Sequence, residues 1–468
     1  MPDAPDPAPP PRNPGSRWLP RPRFSLRTLV IAVLLTGSTV FLHRDWAPWC
    51  EIGCFAQQAE VGLHDDFIDP NAIAISPNGS FFTAASIVPG QPWPMDINLN
   101  VIDSNDGRIV ATLGGHKGFI CSAVFSQDSA KIITGGGDGT ARVWDVKSGR
   151  ELSVIQPEYH GYYNPHVTCA AFVSSDKALL AGYEGETFLW DLNKNAPIVK
   201  LPSKQFSRNP AAFIFANGAR AMTLGDVDGS YGRKNFIWDT STGKCIAQLE
   251  FKFYDLSHEC IAGDRFVWGL LDKQYGEPFD RVEKWDLNGT EFQLVAATPL
   301  HEGVWAYALA PGGDCIVCFA ATGIQRLDGV GLKDRTPIAA DVRDATCLAV
   351  TPDGKRLIAG NAAGRMQVFD LTCAGKMYET SVEAIPNSVV TEIKCFPADS
   401  CRVLAIVATD HGGLQETPKA VHLLARRRPE YWWGLAWLPE FWLTALFAAA
   451  LLWSVWRDRK RNHHTRPL

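Results

Sequence analysis

The sequence predicts an all-β propeller, a ring of four-stranded antiparallel sheets, with eight blades favoured and seven the alternative. Three observations carry this. An apolar residue followed by Asp recurs at nearly even intervals, a turn signal precedes each recurrence, and the residues between alternate as strands do.

The recurring pair is Ile102-Asp103, Trp144-Asp145, Trp190-Asp191, Trp238-Asp239, Trp285-Asp286, Leu327-Asp328 and Phe369-Asp370, at spacings of 42, 46, 48, 47, 42 and 42 residues. The turns upstream are Pro77-Asn78-Gly79, Gln127-Asp128, Ser175-Asp176, Asn217-Gly218, Gly263-Asp264, Pro311-Gly312-Gly313 and Pro352-Asp353-Gly354. An eighth, Pro397-Ala398-Asp399, has a degenerate partner near Leu423-Leu424. Gly supplies unusual backbone angles in such turns, and Asp and Asn bond their own backbone. Within one period, residues 120–125, 131–134, 140–144 and 150–155 read as four short strands. A repeat of about 40–45 residues with four strands is the signature of a propeller blade. The ring is expected over residues 59–425. Ala59-Glu60-Val61-Gly62-Leu63-His64 reads as a lone outer strand that completes the last blade and removes an open sheet edge.

Residues 115–155 resemble a WD repeat. Gly115-His116 opens the segment, Gly139-Thr140 follows Asp138, and Trp144-Asp145 closes the third strand. The chain as a whole resembles a membrane-anchored bacterial WD-repeat propeller. By that resemblance His116, Thr134, Asp138 and Trp144 form a structural hydrogen-bond network. The position of Asp138 is taken by Glu184 in the next repeat and by Ala363 in the seventh, so those blades are expected to rest mainly on packing.

The ends have a different composition. Residues 1–23 are Pro-rich with Arg12, Arg17, Arg21 and Arg23, and read as a disordered basic tail. Residues 24–42 read as a transmembrane helix with Arg27 free to snorkel, and 43–58 as a linker. The start Phe24-Ser25-Leu26-Arg27-Thr28-Leu29 resembles anchors of bacterial envelope proteins. Residues 431–456 read as a second span, with Trp432, Trp433 and Trp437 at one end and Trp453 and Trp456 at the other as interfacial belts. Residues 457–468 form a basic tail. Positive tails stay cytoplasmic, so the expectation is a two-span membrane protein with its propeller on the extracytoplasmic side.

A net charge of −5 argues against a nucleic-acid partner, because phosphate binding needs clustered Lys and Arg. Twelve cysteines, mostly single, form no disulfide framework, although Cys50 and Cys54 are close enough in sequence for a bridge in an oxidising compartment. Gly135–Gly139 lacks the Lys and the following helix of a phosphate loop. Cys315-Ile316-Val317-Cys318 places its thiols on opposite faces of a strand, which suits buried core better than a metal. Cys169 and Cys347 occupy one repeat position and read as core. Asp226-Val227-Asp228-Gly229-Ser230 lacks the closing Glu of a calcium loop, and His463-His464 sits in a basic tail. No catalytic set, metal, cofactor or small-molecule substrate is assigned.

The function expected is therefore a membrane-tethered, non-catalytic scaffold holding protein partners. An enzyme or cofactor-binding propeller, and a cytoplasm-facing signalling scaffold, are the alternatives. Four long connections carry aromatic residues and are the candidate partner-binding site. They offer Trp93, then Tyr162 with Tyr163, then Tyr231, then Tyr275 with Phe279. By the WD resemblance all reach one face of the ring, away from the tethers.

Overall fold

Short runs of β-branched and aromatic residues, each ended by a polar turn, fold here into antiparallel meanders. In the computed structural model the described residues are 49–56, 72–87, 97–158, 166–182, 186–204, 212–215, 218–225, 234–249, 261–262, 266–271, 279–286, 293–311, 313–319, 321–332, 335–372, 375–381, 388–397, 399–409 and 418–426, with 442, 445–446, 448–453 and 456 beyond. Residues Trp49–Arg426 form one compact unit; Met1–Pro48 and Arg427–Leu468 form another.

The first sheet holds Phe81–Ile87, Ile97–Asp103 and Ile109–Leu113. Its inner edge is a single bridge, Ile75 to Phe82, reinforced by the Thr83 hydroxyl, which accepts the Ala74 N–H at 2.8 Å and donates to the Ala72 carbonyl at 2.8 Å. The second is Ile120–Phe125, Lys131–Gly136, Ala141–Asp145 and Glu151–Ile155. The third is Val167–Phe172, Lys177–Gly182, Glu186–Asp191 and Ala196–Lys204, and the fourth is Ala212–Phe215, Arg220–Gly225, Lys234–Asp239 and Cys245–Leu249. A seven-stranded sheet follows. It is two meanders sharing the 17-residue strand Gln293–Leu309, whose first half pairs with Phe279–Asp286 and second half with Cys315–Phe319. The next sheet runs from Ala345–Val350 to Gly375–Ser381.

The last sheet contains Ser388–Phe396, Asp399–Thr409 and Pro418–Arg426, and its outermost strand is Trp49–Ala56. A distant strand does close the ring, but it is not 59–64, which lies outside the described residues. It falls instead in the segment expected to be linker. The pairing is Trp49 with Arg426 through Ala56 with Ala420, with a bulge between Glu51 and Gly53. Cys50 and Cys54 both belong to this strand.

Apolar faces of consecutive sheets pack together. Leu99, Val101 and Leu113 of the first sheet meet Ile132 and Trp144 of the second. Ile133 and Val143 of the second meet Leu180 and Trp190 of the third. Ile73, Phe82 and Ile102 of the first also meet Phe396, Leu404 and Leu423 of the last, which closes a β-propeller ring. Polar contacts lock that seam. Arg402 donates to Asp399 at 2.8 Å and to Asn105 of the first sheet at 3.0 Å, with its guanidinium over Phe396. Lys394 Nζ donates to the Ile73 carbonyl at 2.8 Å.

In five of the repeating pairs the described residues show a local cause for the Asp. It caps the turn into the outer strand. Asp103 accepts the Asn105 N–H at 2.8 Å, Asp145 the Ser148 N–H at 2.8 Å, Asp191 the Lys194 N–H at 2.9 Å, Asp239 the Thr242 N–H at 2.8 Å and Asp370 the Thr372 N–H at 2.7 Å. In four of the sheets the turn after the innermost strand uses a hydroxyl two residues before an Asn or Asp: Ser76 with Asn78, Ser126 with Asp128, Ser174 with Asp176 and Thr351 with Asp353, all within 2.8 Å.

Among the described residues, no helix is long and apolar enough to cross a membrane. This overturns the expected two-span membrane protein with an extracytoplasmic propeller. Residues 24–42 lie wholly outside the described residues, and 431–456 largely so; within the latter, residues 442, 445–446, 448–453 and 456 are helical.

Candidate functional site

The second sheet brings His116, Thr134, Asp138 and Trp144 together. Thr134 sits on the second strand and Trp144 on the third, facing the same side; His116 and Asp138 come from the connections at that end of the sheet. Trp144 Nε1 donates to Thr134 Oγ1 at 2.9 Å. Thr134 Oγ1 lies 2.7 Å from His116 Nε2, and His116 Nδ1 lies 3.1 Å from Asp138 Oδ1. One assignment satisfies every group: the indole N–H donates to the hydroxyl, the hydroxyl to Nε2, and Nδ1–H to the carboxylate. Asp138 also accepts the Lys117 N–H at 3.0 Å, the Thr140 N–H at 3.0 Å and the Thr140 hydroxyl at 2.7 Å. Burial pushes the Asp138 carboxyl up, but the hydrogen bonds from His116, Lys117 and Thr140 outweigh it and hold the group well below the usual carboxylate range. Gly136 is required here, because a Cβ would collide with the His116 ring.

Arg142 extends the network outward. It bonds Glu151 on the outer strand at 2.6 Å and approaches Asp138 to 3.6 Å. His166, entering the third sheet, bonds the Gly137 carbonyl at 2.7 Å and packs against Phe119 with centroids 5.0 Å apart and the rings tilted by 52°.

The other tryptophans use acceptors that sequence reasoning missed. Trp238 Nε1 donates to Thr223 at 2.8 Å. Thr223 is the fourth residue of Arg220–Gly225 as Thr134 is of Lys131–Gly136, so counting from the strand start would have found it. Trp285 donates to buried Glu283 at 3.1 Å. Trp190 donates to Asn195 at 3.1 Å, and the Asn195 amide donates to the Val154 carbonyl of the second sheet at 3.2 Å, so one side chain ties two sheets together. Glu184 lies outside the described residues. At Ala363 the turn is organised by Asn361, which accepts the Ala363 and Arg365 N–H groups at 3.0 Å and donates to Asp344 at 3.1 Å.

Cys315 and Cys318 are buried, and burial raises the Cys318 thiol. Cys169 pairs with Ala181 and Cys347 with Gly360, the same register position in two sheets. Trp93, Tyr162, Tyr163, Tyr231 and Tyr275 lie outside the described residues, as does 226–230. Phe279 is the first residue of Phe279–Asp286 rather than a loop residue. The strand ends that flank these connections are described. Ile87 to Ile97, Gly225 to Lys234 and Leu271 to Phe279 join second to third strands, and Ile155 to Val167 joins a fourth strand to the next first. In an antiparallel meander those junctions share one end of the sheets. The chain enters at Trp49 and leaves at Arg426 at the opposite end, beside the Asp-capped turns.

With this geometry in hand, comparison with known proteins is informative. Residues 107–145 match the family described as WD domain, G-beta repeat. The chain is 40% identical over 134 residues to "Guanine nucleotide-binding protein subunit beta" of Oryza sativa subsp. indica, covering 28% of this chain and 35% of that one. It thus spans about a third of the length of such relatives. It is 22% identical over 310 residues to "Eukaryotic translation initiation factor 3 subunit I" of Phaeosphaeria nodorum, covering 60% of this chain and 87% of that one. Among solved structures, BamB from Moraxella catarrhalis matches with a TM-score of 0.50 at 13% identity, over 82% of this chain and 99% of that one, a likeness of fold. The chain thus carries a WD repeat within a β-propeller. These two relatives are from a plant and a fungus, and do not carry the bacterial envelope setting expected from the sequence.

Proposed function

We propose that the chain is a non-catalytic protein-interaction scaffold: an eight-bladed WD-repeat propeller that captures protein partners at the end of its sheets carrying the long connections. The observation that carries this reading is the difference between the two ends. At one, the turns are short and their polar groups are taken up by Asp, Asn and hydroxyl caps. At the other, four connections run 7 to 11 residues between strands and hold Trp93, Tyr162, Tyr163, Tyr231 and Tyr275, with Phe279 at the edge of the last. Binding residues concentrate on loops that a rigid scaffold positions. The eight-blade count rests on splitting the seven-stranded sheet at Gln293–Leu309. The names of the relatives, subunits of larger assemblies, favour protein partners over nucleic acid, a cofactor or a small-molecule substrate.

The test is capture of partners by the intact chain and by a Tyr162→Ala, Tyr231→Ala double variant. Aromatic anchors contribute about 2 kcal/mol each at interfaces, so losing two weakens binding roughly a thousandfold. Capture of the same proteins at the same strength by a double variant that retains the parent's near-UV circular dichroism overturns the reading.

A further inference from the structure

The outer strands share an irregularity at one register. Beside the repeating pair the pairing slips by one position, which leaves one residue of the outer strand without a place in the ladder. That residue is Val110, Leu152, Ile198, Ile246, Val295, Met377 and Ile52 in turn, always apolar. A bulge re-aims a side chain and interrupts the sheet edge. Here it leaves Val110 36%, Leu152 40%, Ile198 43% and Val295 48% exposed. The ring does not force this exposure. In the second meander of the seven-stranded sheet the slip falls instead beside Ile324 and Gln325, and Ile338 there is buried.

Across the first four sheets these side chains fall in line. Gly149 of the second sheet packs on the first, where an added Cβ would come within 3.1 Å of Ala111 and 3.2 Å of Thr112. Asn195 of the third sheet bonds the Val154 carbonyl of the second at 3.2 Å. Gly243 of the fourth packs on Val199 of the third. An exposed cation adjoins each of these contact residues: Arg150, Lys194 and Lys244. With Arg108 at its start, the rim therefore runs Arg108, Val110, Arg150, Leu152, Lys194, Ile198, Lys244 and Ile246, cationic and apolar by turns. The nearby carboxylates are already engaged. Glu151 takes Arg142 at 2.6 Å, and Asp145, Asp191 and Asp239 take the N–H groups of their own turns. Arg108 and Lys194 lie 3.5 Å from Asp106 and Asp191, ion pairs open to solvent and so weak. The line stops at the seven-stranded sheet, where Gln293 stands two residues before Val295 in place of a cation.

We propose that this rim binds an acidic, extended segment of a partner protein, with aliphatic side chains set between its carboxylates. Charge and pattern select that occupant. The cations call for carboxylates, and the apolar side chains between them offer nothing to a phosphate backbone but suit Leu, Ile or Val. Packed sheets lie about 10 Å apart, which three extended residues span, so carboxylates and aliphatics recurring every three residues meet successive sheets. Because the bulges break the sheet edges, side chains hold the segment and no strand is added. The surface is distinct from the long connections, which lie at the other end of the sheets.

The test is fluorescence anisotropy of labelled peptides on the full chain. The probes are six repeats of Glu-Glu-Leu, the same peptide with Gln or with Lys for Glu, and one with Ser for Leu. The Glu-Glu-Leu peptide is expected to bind, more weakly as salt is added, and at least tenfold more tightly than the other three. Arg150→Glu with Lys244→Glu, and separately Leu152→Ser with Ile198→Ser, are expected to weaken it at least tenfold. Val330→Ser, in an exposed turn off the line, and the Tyr162→Ala, Tyr231→Ala variant are expected to bind it as the parent does. No binding of the Glu-Glu-Leu peptide by the parent, or equal binding of another peptide or of a single-stranded oligonucleotide, overturns the proposal. So does an unchanged affinity in either rim variant that keeps the parent's near-UV circular dichroism. Loss of binding in the tyrosine variant overturns it too, by placing the peptide at the other end of the sheets.

Discussion

Replacing Thr134 by Val deletes one hydroxyl and keeps the branched shape, so its effect isolates the hydrogen bonds. That hydroxyl serves two buried groups, Trp144 Nε1 at 2.9 Å and His116 Nε2 at 2.7 Å. Both residues are 2% exposed, so water cannot replace the lost partner. A buried polar group left without a partner costs about 1–3 kcal/mol, so two cost about 2–6 kcal/mol. Thr223→Val in the fourth sheet is the internal control. Thr223 is equally buried and also receives an indole N–H, from Trp238 at 2.8 Å, but no histidine lies on it among the described contacts. That change strands one group and should cost about 1–3 kcal/mol. Urea unfolding of the full chain, compared at constant slope, reads both values. Thr134→Val costing no more than Thr223→Val would refute a cooperative network and reduce the four residues to a row of independent contacts.

Other expectations follow from the same contacts. Asp138 has its carboxyl held below the ordinary value of 3.8, so the stability it contributes is present above that value and is lost as pH falls toward the folded-state value; the stability gap between parent and Asp138→Asn should shrink between pH 5 and pH 2, read by urea midpoints. Asn195→Ala strands the Trp190 indole and the Val154 carbonyl and should cost about 1–3 kcal/mol, with Asn195→Gly, which keeps the positive φ of 49° without strain, separating hydrogen bond from backbone. Arg402→Ala should raise hydrogen exchange at Ser104 to Gly107 and at Asp399 while leaving 131–145 unchanged, because the lost contacts all lie at the seam between last and first sheets.

Where a feature repeats, the sequence made it readable. The apolar–Asp pair marked the third strand of the meanders because in the described copies the same carboxylate has the same task, accepting N–H groups two or three residues on. The network of the second sheet was readable for the same reason, since all four of its residues occupy their repeat positions. What failed to show was each local replacement. Asn195 lies just past the pair, in a turn where Asn is common for conformational reasons alone. Only its distance from the Trp190 indole reveals that it also serves as that ring's acceptor. Glu283 lies two residues before Trp285 on the same strand, and only its burial and its distance from the indole reveal it as that ring's acceptor.

The closing strand shows why pattern alone misplaced the seam. Residues 49–56 and 59–64 both alternate well enough to be an outer strand, and both lie at the right end of the chain. Nothing within either segment chooses between them, because the choice is made by a partner almost 370 residues away. Trp49–Ala56 pairs with Arg426 back to Ala420 apart from one bulge, and this places Trp49 opposite Arg426. An outermost strand completing the last sheet from the other end of the chain makes closure of the ring a property of both termini at once. Loss of residues 49–56 should therefore loosen Pro418–Arg426 before it loosens the second sheet, and the order in which those two strands lose hydrogen-exchange protection is what a seam located there requires.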